Sequence, residues 1–152
     1  MVVYFICRGN VFRSMIAETY LRSLNIPNVT VLSGGTVASR YRESNARVYP
    51  EIRALLKNHG IEKYMKNHYG DDVEQRLLDT SDRVICLNSI IYDELRASFK
   101  VPDNTEVWNV ADVDETGRVI EAEEDREAFR DGSYELIIKN VDALVASWAQ
   151  LK

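Results

Sequence analysis

The sequence predicts an α/β domain: a four-stranded parallel sheet with helices on both faces, a three-layer sandwich. Three observations point there. Short β-branched and aromatic runs alternate with longer helical stretches along the 152 residues. The first run, Val2 to Ile6, is apolar throughout, as a strand buried on both faces should be. Residues able to do chemistry (Cys7, Ser33 to Thr36, Asp112) fall where strand-like runs end. Parallel α/β folds place their sites at those carboxyl ends.

The elements follow in order. After Val2 to Ile6, Arg13 to Leu24 carries good helix formers, with Ile16, Tyr20 and Leu24 spaced as one buried face. Pro27 and Asn28 turn the chain into a second strand, Val29 to Leu32, which ends at Ser33-Gly34-Gly35-Thr36. Ala46 to Asn58 reads as a helix stopped by Gly60. Arg83 to Leu87 is a third strand, Ile90 to Phe99 a helix and Glu106 to Val110 a fourth strand. Ser133 is a candidate cap for a last helix, whose stripe is Ile137, Ile138, Val141, Leu144, Val145 and Trp148. This alternation implies right-handed crossovers.

The totals bound the function. The length suits one domain, residues 1–152, and 45% hydrophobic residues suffice for one core. A net charge of -5 argues against a broad nucleic-acid or anionic-membrane surface but allows a small positive pocket. Two cysteines make no disulfide framework, so a reducing cytoplasm is the expected compartment. The first apolar run is too short for a signal-peptide core or a membrane span. His59 and His68 read as surface residues, and no Cys/His cluster has metal spacing.

The stretch CRGNVFRS, Cys7 to Ser14, joins the first strand to the first helix. Such a loop turns backbone N–H groups inward and, with the helix start, forms an anion nest. Arg8, Gly9, Asn10, Val11 and Phe12 would supply the cradle's backbone. Gly9 would permit a conformation that a side chain penalises, and Asn10 would hydrogen-bond across the loop. Arg13 offers a planar fork of donors for a phosphate-like oxyanion. Cys7 would lie at the bottom, where those donors favour its thiolate and make it a nucleophile. Ser14 would hydrogen-bond the sulfur. Cys86, inside the apolar run RVICL, has no anion-binding neighbours in sequence and reads as a buried hydrophobe.

CRGNVFRSMIAE resembles the phosphate-binding loop of low-molecular-weight protein tyrosine phosphatases: Cys, five residues, Arg, Ser, directly after the first strand. Ser33-Gly34-Gly35-Thr36 is similar to the family's Ser-Ala-Gly-Thr, SDRVICLN to its third strand, and VWNVADVD lies where its Asp-Pro acid loop falls. The resemblance implies a strand order of two, one, three, four. It implies Cys7 as nucleophile, Arg13 on the phosphoryl oxygens, Asn10 as a brace and Ser14 as a partner of the thiolate. Asp112 would be the general acid and then the base, with Asp114 as the alternative. No metal or organic cofactor is implied. The expected partner is a phosphorylated protein or small phosphomonoester, with the protein a monomer or weak dimer.

Four departures stand out. Phe12 occupies the place of the family's frequent second loop cysteine. Arg8 replaces an apolar residue and is expected to point to solvent. Asp112-Val113-Asp114 replaces Asp-Pro-Tyr, losing an aromatic wall that Tyr41 would replace. The family's usual Arg-containing segment has no clean counterpart in Tyr64 to Arg76. The leading expectation is a phosphatase for aryl phosphomonoesters such as phosphotyrosine. The alternatives are a degenerate phosphatase that binds phosphate or phosphoprotein, and an arsenate reductase, for which only Cys86 remains as a second thiol.

Overall fold

In a computed structural model, which describes residues 1–112 and 123–149, four parallel strands form one sheet. They are β1 (Val2–Cys7), β2 (Thr30–Gly35), β3 (Arg83–Cys86) and β4 (Glu106–Val107), in the order β2-β1-β3-β4. The most apolar strand takes a central position. Val3, Tyr4, Phe5 and Ile6 are all fully buried, so both faces of β1 are covered. Ile6 stands opposite Gly34 on one side and Cys86 on the other, and Cys7 opposite Gly35. That register sets the ends of β1 and β2 side by side beneath the loop that follows Cys7.

The helices are α1 (Arg13–Ser23), α2 (Ala38–Tyr41), α3 (Val48–Asn58), α4 (Gln75–Thr80), α5 (Ser89–Ser98) and α6 (Glu123–Ala149). Short 3-10 turns lie at Ser44–Arg47 and Glu62–Tyr64. Asn88 caps α5, its side chain accepting from the Ile91 N–H at 3.0 Å. α1 meets α6, where the Tyr20 hydroxyl donates to Asp142 at 2.7 Å.

Several local expectations need correcting. Ser133 caps nothing: it is a buried residue inside α6, which runs straight through Asp131-Gly132-Ser133. The apparent break is bridged because Tyr134, Ile137, Val141 and Leu144 bury one continuous stripe, which outweighs the roughly 1 kcal/mol cost of a helical Gly. β4 ends at Val107 rather than Val110. Beyond it, the Val110 carbonyl turns to Arg13 and Asn88. In α1, Ile16 is buried but Leu24 is exposed, and Met15, Ala17, Thr19 and Leu21 are buried too. The single face read from Ile16, Tyr20 and Leu24 is therefore too narrow.

Candidate active site

The loop after β1 folds around the Cys7 sulfur. The sulfur lies 2.9 Å from the Ser14 hydroxyl oxygen, and the Asn10 N–H points at it from 3.3 Å. Asn10 is left-handed, with φ 50°, a conformation Asn tolerates better than most residues. Its amide is buried and fully used: Nδ2 donates to Ser14 at 2.9 Å and Ser33 at 2.8 Å, while Oδ1 accepts from Lys66 at 2.8 Å and from the Asp71 N–H at 3.0 Å. Gly9 gives room to the Asn45 side chain and has no left-handed φ. A Cβ there would lie 2.6 Å from the Asn45 amide nitrogen. Gly35 likewise lets β2 approach, since a Cβ would collide with the Arg8 carbonyl.

Arg13 begins α1 and is 2% exposed, so its guanidinium has little freedom. Nη1 donates to the Val110 carbonyl at 2.9 Å, and Nη2 lies 3.5 Å from the Asp112 carboxylate. Asp112 is thus brought to the mouth of the loop from 99 residues away. Asp114, the alternative acid, lies outside the described residues.

Cys7, Arg8, Gly9, Val11, Phe12, Arg13 and Asp112 line one cavity of about 720 Å³. Its outer wall holds Tyr41, Asn45, Arg47, Val48, Glu51 and Arg126. Asn10 and Ser14 lie beneath this surface as supports. Tyr41, the expected wall, is 39% exposed with its ring centroid 6.0 Å from the Arg8 guanidinium carbon. Arg8 does not simply point to solvent: its Nε pairs with Glu94 at 2.9 Å, and Glu94 also accepts from the Thr36 hydroxyl at 2.7 Å. Among the described residues, no group of three His, Cys, Asp or Glu could hold a metal ion.

A family model for low molecular weight phosphotyrosine protein phosphatase matches residues 2–150. The chain belongs to that family. Among solved structures, Vibrio vulnificus Wzb, in complex with benzylphosphonate, is 20% identical with a TM-score of 0.74, covering 96% of this chain and 97% of its own. A Drosophila arginine phosphatase is 21% identical with a TM-score of 0.68, covering 97% and 98%. At such identities these likenesses show the fold. A curated relative, arsenate reductase 2 of Staphylococcus epidermidis, is 33% identical over 87 residues, which span 57% of this chain and 60% of that protein.

The Cys7–Ser14 loop rests partly on residues that sequence reading passed over. Lys66 is 9% exposed and reaches Asn10, Asp71 at 2.9 Å and Glu18 at 3.7 Å. Glu18 is buried, accepts from the Ser33 hydroxyl and pairs with Arg22 at 2.6 Å. Burial works against the Asp71 charge, but hydrogen bonds and charge from Lys66, and then from His68, hold its carboxyl below the usual range. His68 itself is exposed, as expected, and bonds Asp71 at 2.8 Å. The unmatched segment Tyr64 to Arg76 is therefore where the loop receives its support. The one local signal was Glu18, the acid that ends the motif CRGNVFRSMIAE.

Cys86 lacks the hydrogen-bond partners that meet the Cys7 sulfur. It is fully buried, and that burial pushes its thiol up to about 12.

Proposed function

We propose that the protein is a cysteine-dependent phosphatase acting on aryl phosphomonoesters such as phosphotyrosine. The observation that carries it is the convergence of the Cys7 sulfur, the Arg13 guanidinium and the Asp112 carboxylate on one cavity. Cys7 as thiolate attacks phosphorus, forming the S–P bond as the ester O–P bond breaks. The loop N–H groups and Arg13 hold the equatorial oxygens, where charge gathers in the transition state. Asp112 enters carrying a proton and leaves it on the departing oxygen. It then takes a proton from the water that attacks the phosphocysteine, and Ser14 receives the returning thiolate with its hydroxyl. Tyr41, Phe12, Val11 and Val48 give the cavity an apolar side suited to an aromatic ring. A cytoplasmic setting fits this thiolate chemistry. Among the described residues, no helix is long and apolar enough to cross a membrane.

The test is steady-state hydrolysis of para-nitrophenyl phosphate by wild type, Cys7→Ser and Asp112→Asn. Turnover abolished by the first change and strongly reduced by the second supports the reading. Phosphate binding without hydrolysis would overturn it in favour of a recognition domain. Arsenate reduction within the chain needs a second thiol to attack the sulfur of a Cys7–arsenate adduct, the two sulfurs supplying two electrons as their disulfide forms and arsenite leaves. Cys86, the only other cysteine, is locked in β3 and does not serve.

A further inference from the structure

The cavity is basic in an acidic protein. Among the described residues, four arginines line it (Arg8, Arg13, Arg47 and Arg126) against two carboxylates, Glu51 and Asp112, while the whole chain carries -5. Three of the four are committed. Arg8 holds Glu94 at 2.9 Å, Arg13 holds the Val110 carbonyl and Asp112, and Arg126 holds Glu123 at 2.7 Å. Glu51 is engaged from behind by Arg130 at 3.2 Å. Arg47 is the exception: among the described residues it has neither an ion pair nor a hydrogen bond. It ends the 3-10 turn Ser44–Arg47, and that turn is seated on the catalytic loop because Asn45 fills the space left by Gly9. The turn therefore anchors Arg47 at the rim of the cavity rather than on a remote loop, with its side chain exposed.

The chemistry at Cys7 does not use this charge, since a phosphoryl group is already met by Arg13 and the loop N–H groups. We propose that Arg47 forms a second anion subsite, so that the preferred substrate is an aryl phosphomonoester bearing a further acidic group beside the ester. This rests on the phosphatase reading and narrows its substrate class. A guanidinium with uncommitted donors recognises a carboxylate or a second phosphate through paired N–H bonds. At an exposed rim the effect is modest and falls with salt. The acidic group belongs either to a side chain next to a phosphotyrosine or to the small molecule itself.

The experiment compares kcat/KM for two phosphotyrosine peptides that differ only in flanking Glu or Gln, with wild type and Arg47→Gln. The expected result is a preference for the Glu peptide of about three- to tenfold at low ionic strength. It should shrink with added salt and fall close to one in Arg47→Gln. A matched pair of aryl phosphates, ring carboxylate against ring carboxamide, locates the source. Preference in that pair puts the anion on the small molecule, and preference in the peptides alone puts it on a neighbouring side chain. Equal rates for both members of both pairs, or a preference that survives Arg47→Gln, overturns the subsite. If para-nitrophenyl phosphate is not turned over, the phosphatase reading itself has failed. Equilibrium binding of the two peptides to Cys7→Ser then still decides the subsite by the same Glu-to-Gln ratio.

Discussion

Two cysteines lie almost side by side in this sheet and have opposite characters. Ile6, next to Cys7, pairs with Cys86 across β1 and β3. Cys7 ends its strand, so its sulfur meets an N–H, a hydroxyl and an open cavity. Cys86 is followed by chain that keeps pairing, with the Leu87 N–H bonded to the Ile6 carbonyl, and its sulfur meets only the core. The residue type is the same. Position relative to the strand end, and the loop that follows, separate the proposed nucleophile from a piece of packing.

The sharpest test of that contrast is paired substitution. Cys7→Ser should lower kcat on an aryl phosphate by at least about 10⁴-fold, because a serine hydroxyl stays protonated and is a far poorer nucleophile and leaving group than a thiolate. Cys86→Ala should leave kcat within about twofold and cost roughly 1 kcal/mol in urea unfolding, the price of a small cavity. Comparable losses of activity in both would break the comparison. Next in size is Asp112→Asn, expected to reduce kcat/KM by about 10²- to 10³-fold and to remove the fall in activity toward high pH that a protonated acid imposes. An unchanged profile would move the acid role to Asp114.

Lys66→Met probes the support rather than the chemistry. It leaves Asn10 Oδ1 short of one donor and Glu18 with Arg22 and the Ser33 hydroxyl. A drop of about tenfold in kcat/KM is expected, with partial recovery in Lys66→Arg, whose longer fork still donates. The smallest effect is on stability at high pH. Burial raises the Cys86 thiol to about 12, so the native state holds that proton more tightly than the unfolded chain. This contribution is complete below the unfolded value near 8.5 and is lost as pH rises toward 12, at up to about 1.4 kcal/mol per pH unit. Urea midpoints taken between pH 8 and 10 should fall less steeply for Cys86→Ala than for wild type.

Much of this was legible in the chain. Apolar runs announce strands whatever surrounds them, and Cys7 to Ser14 is contiguous, so both could be read locally. The short helices α2 and α4 and the two 3-10 turns went unread because so few residues carry no periodicity. The start of α6 was misplaced because Gly132 and Ser133 look like punctuation when the buried stripe beyond them is ignored. Lys66, Asp71 and Glu94 were missed for a different reason. Their significance lies in partners dozens of residues away, such as Asn10 and Arg8, and no local pattern encodes that meeting.

That separation has a consequence for how the protein comes to life. The bonds that shape the Asn10 amide and the Arg13 fork span 4, 23, 56, 61, 97 and 99 residues. A chain that has formed only β1 and α1 owns the whole Cys-to-Ser stretch, yet lacks the contacts that hold its loop in place. Contacts of such high sequence separation form late, once the entropy of closing long loops has been met. Catalytic competence should therefore emerge with the last cooperative step of folding, and a nascent or partly unfolded chain would carry the proposed nucleophile without a formed site.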